Sequence, residues 1–396
     1  MSRRVHVTGV GMIPFSKPGK SDDYDVMGAR ATQAAIDDVG IAYGQVQQAY
    51  AGYVYGDSTS GQRALYRVGM TGIPVVNVNN NCATGSSALW LARQAVESGA
   101  AECVLALGFE QMRPGALTKH WVDRPSPTGR FDEVLDELHG IVTELPRAAQ
   151  LFGGAGLEYV QRYDADPSFF AKIAVKSRTH AANNPYAVFR DPITEREVLD
   201  SPHIFGPVTR LQACPPTCGA AAAILCSEEF ARTHGLRTDV AIKAQAMSSD
   251  FPETFEKKSM IELVGGGLTR SASTQVYETA GVDPRDIKVV ELHDCFTVNE
   301  ALCYESLGLT GEGEAEKFVA DGNNTYGGQV VVNPSGGLMS KGHPLGATGL
   351  AQCTELVWQL RGEAQARQVE GVTLALQHNL GLGGVGVVTL YEKVGS

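Results

Sequence analysis

Val75-Val-Asn-Val-Asn-Asn-Asn-Cys82-Ala-Thr-Gly85 joins a β-prone run to an apolar helical pattern over Ser86 to Glu97. The spacing sets Cys82 between a strand end and a helix start. Helix N-termini offer unpaired N–H groups and partial positive charge, both of which favour thiolate over thiol. Buried cysteine is otherwise a small hydrophobe. The polar approach Asn77 to Asn81 argues against an apolar burial site.

Working outward, strand and helix patterns alternate on both sides. Val5 to Val10 reads as a strand, Tyr24 to Val39 as a helix stopped by Gly40, and Gln48 to Tyr55 as a strand. A short helix is expected over Gly61 to Gly69, and a strand over Glu102 to Gly108. Such alternation indicates a layered α/β fold. From about Met112 to Gly206 prolines and charges interrupt it, as in Arg124-Pro-Ser-Pro127, with one helix over Pro167 to Ala182. The alternation resumes with Cys214-Pro-Pro-Thr-Cys218 and the apolar run Gly219 to Leu225.

The last third repeats the first. Cys82-Ala-Thr-Gly85 and Gly346-Ala-Thr-Gly349 each open an apolar helix. Each helix leads to a matching strand, Val104-Leu-Ala-Leu107 or Thr373-Leu-Ala-Leu376. Two such units would meet around a shared crevice, where strand-end loops bind ligands. The expected organisation is a first half over residues 1–115 and 207–262, an inserted loop domain over 116–206, and a second half over 263–396.

Composition narrows the classes. At 396 residues the chain exceeds one ordinary core. Its net charge of −11 gives no support to a nucleic-acid partner or an anionic membrane. The eight cysteines are too scattered for a disulfide scaffold and fit a reducing compartment. No signal-like N-terminus, membrane-length apolar run or peroxisomal C-terminal tripeptide is present, so a cytoplasmic location is expected.

Four polar or glycine-rich loops are expected after strands. They carry Cys82, His293 with Cys295, His343, and His378-Asn379 ahead of Gly381-Leu-Gly-Gly-Val-Gly386. A thiol nucleophile needs a nearby base, and a second acid/base with an oxyanion site completes acyl-transfer chemistry. Bland readings exist beside this one. His343 suits a turn and Cys295 suits a core. His293-Asp-Cys295 makes an incomplete metal set, and Cys214 with Cys218 lacks a second ligand pair, so no metal is expected. The terminal glycines match a dinucleotide fingerprint literally, but a strand follows them instead of a helix.

Taken together, Asn79-Asn-Asn-Cys-Ala-Thr-Gly-Ser86, His293-Asp-Cys-Phe296, Gly342-His-Pro-Leu-Gly-Ala-Thr-Gly349 and Gln377-His-Asn-Leu-Gly-Leu-Gly-Gly384 resemble the thiolase superfamily. More narrowly they resemble its sterol-carrier-protein-2 type, as do Asn323-Asn-Thr-Tyr-Gly-Gly328 and Pro334 to His343. The resemblance covers nearly the whole chain, without the lipid-carrier domain fused to the animal protein.

It implies two duplicated αβαβα halves with mixed five-stranded sheets, an inserted loop domain, a homodimer that can pair into tetramers, and coenzyme A as co-substrate with no permanent cofactor. By the resemblance Cys82 is the acylated nucleophile and His343 its base. His293 stands for the asparagine that stabilises the thioester enolate in most thiolases. The usual second cysteine of the terminal loop is missing, and Cys295 takes its acid/base role. Backbone N–H groups of Cys82, Gly383 and Gly384 would form an oxyanion hole, with His378 and Asn379 in a neighbouring loop.

The implied activity is 3-oxoacyl-CoA thiolysis, in fatty-acid or sterol side-chain metabolism. The alternatives are a retro-aldolase on steroid side-chain CoA esters, with a small OB-fold partner, and a non-catalytic lipid or sterol carrier. One departure is Thr217-Cys-Gly-Ala-Ala221, where relatives have an acidic residue in place of Cys218.

Overall fold

A computed structural model of the protein describes residues 3–114 and 121–395. Among the described residues twelve strands are formed: β1 (Val5–Met12), β2 (Gln48–Gly52), β3 (Val75–Val78), β4 (Cys103–Glu110), β5 (His203–Phe205), β6 (Val208–Thr209), β7 (Gly219–Ser227), β8 (Val240–Ser248), β9 (Val289–Glu291), β10 (Val331–Val332), β11 (Leu374–Gly381) and β12 (Val385–Lys393). Ten of them follow the order β10-β9-β11-β12-β8-β1-β7-β4-β2-β3, and β5 with β6 forms a separate hairpin.

The order is a mirrored pair of five-strand sets. In the first, β3, β2 and β4 are parallel, and β4-β7-β1 is antiparallel. In the second, β10, β9 and β11 are parallel, and β11-β12-β8 is antiparallel. The sets touch through one residue pair, His6 and Ala241. β8 pairs with β12 from Val240 to Ser248 and so stands in the second set where β1 stands in the first. The expected halving at residue 262 puts β8 with the first half; its hydrogen bonds put it with the second.

Burial explains the strand sequences. All nine residues of β7, Gly-Ala-Ala-Ala-Ala-Ile-Leu-Cys-Ser, are buried, and small side chains let helices cover both faces. The helices Thr84–Glu97 and Thr348–Arg361 lie between the two sets. Leu89 and Val96 of one share a core with Leu350 and Leu356 of the other, together with Val7, Ala223, Val289 and Ala375 of the strands. Helix Tyr24–Val39 covers the outer face of the first set, with Ala31, Ala35 and Val39 against Leu105, Leu107 and Ile224. It ends where the sequence predicts, on a left-handed Gly40. Helix Gly266–Ala280 covers the second set in the same way, through Leu268 and Val276. The result is a helix-sheet-helix-sheet-helix stack.

Between β4 and β7 the chain leaves the sheet for helices Gly129–His139, Arg147–Tyr163 and Phe169–Ala181 and the β5-β6 hairpin. The expected boundary at 115/116 lies outside the described residues. The first two of these helices are not predicted from the sequence, where prolines obscure the period. Phe152, Tyr159 and Phe170 pack them onto the second set through Phe296, Leu302 and Val298.

Candidate active site

The Cys82 corner is built by its asparagines. Asn79 Oδ1 accepts the Asn81 N–H at 3.0 Å, and Asn81 adopts the left-handed region at φ 51°. Thr84 Oγ1 accepts the Asn80 N–H at 2.9 Å. Asn80 Nδ2 donates to Ser87 Oγ at 2.9 Å. Asn81 Nδ2 ties the corner to the far half by donating to the Leu382 carbonyl at 2.9 Å. Cys82 is half-buried and packs against the outer core of the first half. The helix start was expected to favour the thiolate. Instead burial, with the nearby Glu110 carboxylate, pushes the thiol up to about 12, while the N–H groups of Cys82 and Leu382 act the other way. At rest Cys82 is a neutral thiol.

His343 lies in the turn ahead of helix Thr348–Arg361. Its N–H donates to Thr217 Oγ1 at 2.6 Å, which fixes the turn against the chain leading into β7. Its Nδ1 sits 2.7 Å from Thr348 Oγ1, and that hydroxyl donates to the Pro344 carbonyl at 3.1 Å. The hydroxyl therefore accepts from Nδ1, which carries the proton. Nε2 keeps a lone pair, and it is buried with no hydrogen-bond partner among the described residues. Burial holds the ring neutral, down to about 3. An unpaired buried acceptor of this kind is able to take up a proton.

His293 follows β9 and is buried. Its Nδ1 lies 3.0 Å from Asn379 Nδ2. Burial, with His343 and His378 nearby, holds it well below the ordinary histidine range. The two rings meet edge to face, 5.1 Å between centroids. A ligand atom each of Cys82, His293 and His343 lies within 4.8 Å of the others. Cys82, His293 and His343 are thus brought together from three loops.

The remaining residues separate. Asp294 turns away and accepts the N–H groups of Leu338 at 2.7 Å and Met339 at 3.3 Å, so the middle of His293-Asp-Cys295 caps the short helix Gly337–Ser340. Cys295 is buried, and its thiol is pushed well above the usual range by burial and by Cys214 and Cys82 close by. Its carbonyl accepts the Cys214 N–H at 2.8 Å. Cys214, weighed in the sequence only for zinc, is therefore a third thiol beside the site. His378 and Asn379 lie within β11 instead of a loop, because β12 pairs with it up to Gly381 and Val385. Alternation sends them to opposite faces. Asn379 meets His293, whereas His378 contacts Thr269 at 3.1 Å and Cys303 at 3.5 Å in the outer core.

The glycine expectation also shifts. The far-half N–H beside the Cys82 thiol belongs to Leu382. Gly383 and Gly384 take positive φ in the β11-β12 turn, and a Cβ on Gly384 would meet Asp250 Oδ2 at 2.3 Å. Glu110, at the end of β4, is the residue that sequence reading missed. It accepts the N–H groups of Val54 at 3.1 Å, Tyr55 at 2.9 Å and Gly346 at 3.0 Å. Burial nevertheless raises it to about 7. Cys218 is fully buried away from the three-group cluster, its thiol donating to the Met112 carbonyl at 3.4 Å.

A thiol, a neutral imidazole and a second imidazole meet at the junction of two duplicated α/β units, a set able to carry out acyl transfer. Sequence comparison gives the family. Residues 5–229 match the thiolase N-terminal domain model and residues 254–390 the thiolase C-terminal domain-like model. The chain belongs to the thiolase family. It is 54% identical over 393 residues to "Sterol carrier protein 2" of Oryctolagus cuniculus, covering 98% of this chain and 72% of that protein. The solved structure "Ltp2-ChsH2(DUF35) aldolase" has a TM-score of 0.82 at 25% identity, covering 98% of each chain. Human mitochondrial 3-ketoacyl-CoA thiolase has a TM-score of 0.74 at 20% identity, covering 99% of each chain, and shares the fold. No helix among the described residues is long and apolar enough to cross a membrane.

Proposed function

We propose that the chain is a 3-oxoacyl-CoA thiolase that works through a Cys82 acyl-enzyme and uses coenzyme A as co-substrate. The observation that carries this reading is the meeting of the Cys82 thiol, the unpartnered His343 Nε2 and the His293 ring within 4.8 Å. Cys82 attacks the 3-keto carbon while His343 Nε2 takes the thiol proton. The bond between carbons two and three then breaks, and its electron pair forms the enolate of acetyl- or propionyl-CoA. His293 stabilises the enolate oxygen, and Cys295 delivers a proton to carbon two. In the second half-reaction Cys295 takes the proton of free coenzyme A, whose sulfur displaces Cys82 and carries off the shortened acyl group. The N–H groups of Cys82 and Leu382 serve the acyl oxygen. Substrates from fatty-acid or sterol side-chain breakdown fit this chemistry.

A homodimer fits as well. β3 is the edge strand of the first set, and Val76 on it, with Tyr66 and Met70 beside it, is exposed. An open apolar edge calls for a partner. A cytoplasmic setting accords with eight free cysteines.

A retro-aldolase reading has one observation behind it, the TM-score of 0.82 to a structure named an aldolase. The two readings part on the thiol. Thiolysis of short, long, 2-methyl-branched and sterol-derived 3-oxoacyl-CoAs should be detected in the wild type. Cys82→Ala should lower it at least about a thousandfold. A Cys82→Ala enzyme with near wild-type turnover would sink the thiolase reading. Cleavage of a 3-hydroxyacyl-CoA with no added coenzyme A would establish the aldolase.

A further inference from the structure

The two site histidines face each other as neutral rings, yet the chemistry asks opposite things of them. One must accept a proton and the other must donate a hydrogen bond. What gives His343 its accepting Nε2 is the Thr348 hydroxyl. What fixes His293 is a longer chain of groups that crosses from one half of the molecule to the other.

That chain starts at the Gly349 carbonyl, which can only accept. Gln377 Nε2 donates to it at 2.7 Å, which fixes the orientation of the Gln377 amide. The same NH2 group donates to Ser86 Oγ at 2.8 Å. The Tyr391 hydroxyl supports this orientation from the other side by donating to Gln377 Oε1. Ser86 then has its own hydrogen free, and it points at Asn379 Oδ1, 2.9 Å away. With its oxygen engaged, Asn379 presents Nδ2 to His293 Nδ1 at 3.0 Å. An NH2 group can only donate, so His293 Nδ1 holds a lone pair and the proton resides on Nε2. Among the described residues Nε2 makes no hydrogen bond within the protein. All the side chains of the relay are buried. Gly349 is glycine for the same reason, because a Cβ there would lie 2.3 Å from Ser86 Oγ and 2.8 Å from Asn379 Oδ1.

We infer that Asn379 is a positioning residue: with Ser86 and Gln377 it locks His293 as a hydrogen-bond donor at Nε2, opposite to the acceptor Nε2 of His343. The assignment rests on the thiolase reading for its catalytic meaning, since a donor is needed there only if an enolate oxygen forms. The same lock opposes metal capture by a Cys-His-His cluster of ligating spacing. A ligating His293 would need Nε2 bare and Nδ1 protonated, and Asn379 Nδ2 opposes that tautomer.

Asn379→Asp tests the lock, because a carboxylate accepts from Ser86 as before and accepts from His293 Nδ1–H as well. The Asp-His pair shares one proton beyond that state at low pH, and its loss leaves Nε2 bare. In the wild type Nε2–H is not lost by titration in the ordinary range. The variant should therefore gain an ionisation that lowers kcat as pH rises, to roughly a hundredfold below wild type at alkaline pH. KM for the 3-oxoacyl-CoA should change little. At that pH cobalt(II) added alone should give thiolate-to-cobalt absorption in Asn379→Asp and none in the wild type at equal metal. Nitrogen-15 NMR of histidine-labelled wild-type protein should show His293 protonated at Nε2.

A wild-type His293 protonated at Nδ1 would overturn the inference. So would an Asn379→Asp pH profile parallel to the wild type. The NMR and cobalt readouts need no turnover, so they decide the lock even if the thiolase reading fails. The wild-type NMR decides it if the variant does not fold.

Discussion

The two helix starts, Cys82-Ala-Thr-Gly85 and Gly346-Ala-Thr-Gly349, are copies of one device, and their differences carry the chemistry. In the first copy the position before Ala-Thr-Gly holds a thiol; in the second it holds Gly346, and the proposed base, His343, lies three residues earlier. The strands that follow make the same contrast. Aligning Val104 to Leu107 with Thr373 to Leu376 sets Glu110 opposite Asn379. Each reaches into the other half, Glu110 to the Gly346 N–H and Asn379 to the Ser86 hydroxyl. A carboxylate next to the thiol disfavours the thiolate. An amide next to His293 orients the ring without adding charge. Duplication supplied two equivalent positions, and their side chains have divergent electrostatic tasks.

Removing the base of the second copy should have the largest effect. His343→Ala takes away an unpartnered acceptor beside Cys82, and general-base catalysis of this kind contributes on the order of a thousandfold. Initial rates should fall by about that factor with KM nearly unchanged. A loss below tenfold would mean that some other group accepts the Cys82 proton.

The contact between the copies should break next. A Cβ on Gly108 would lie 2.2 Å from the Gly346 carbonyl oxygen, so β4 and the turn before the second helix must separate. Overpacking of backbone against backbone costs about 1–3 kcal/mol or more. Gly108→Ala should lower Tm by several degrees and misplace Cys82 relative to His343. An unchanged Tm with full activity would show that the junction yields easily.

The electrostatic half of the comparison is tested by Glu110→Gln. Glu110 titrates at about 7, so its charge acts on Cys82 only above that pH. Removing it should lower the Cys82 thiol from about 12 and raise the iodoacetamide rate roughly tenfold above pH 7, with the difference closing below it. The wild-type rate itself should keep rising through pH 10, since the thiol is far from half-ionised there. A wild-type plateau below pH 9 would contradict the raised thiol. Equal rates for variant and wild type above pH 7 would remove Glu110 from the account.

The residues legible in the sequence are those set by short-range rules. Asn79 to Cys82 builds its own turn, Gly40 stops its own helix, and the Ala-Thr-Gly repeat exposes the duplication. What was not legible depends on contacts between distant segments. Nothing local to Glu110 shows that it collects N–H groups from Val54, Tyr55 and Gly346. Glycines after Asn379 suggested a loop, but β12 extends β11 as far as Gly381. Helix Thr297–Ser306 buries Asn299 and Glu300, which breaks its apolar period, and Lys176, the Tyr304 hydroxyl and Asn333 Nδ2 together make the burial of Glu300 tolerable. The thiol followed the same rule. Its helix start was visible, but the burial and the carboxylate that oppose it were not.

The smallest effect is expected at Cys218, where the family resemblance leads one to expect an acidic residue. The residue pairs with Ser16 across an isolated bridge, and its thiol reaches the Met112 carbonyl at 3.4 Å in the outer core of the first half. It belongs to the frame behind Thr217, whose hydroxyl holds the His343 turn. A serine there is slightly smaller and can make the same donation to Met112. Cys218→Ser should therefore keep kcat and acyl-chain preference within about twofold, with stability changed by about 1 kcal/mol. An aspartate would place a charge at that fully buried position, so Cys218→Asp should lose stability sharply. If the serine variant instead altered chain-length preference while Tm held, this buried thiol would have to be reached through Thr217 and His343. The second copy's turn would then be tuned from the first copy's outer layer.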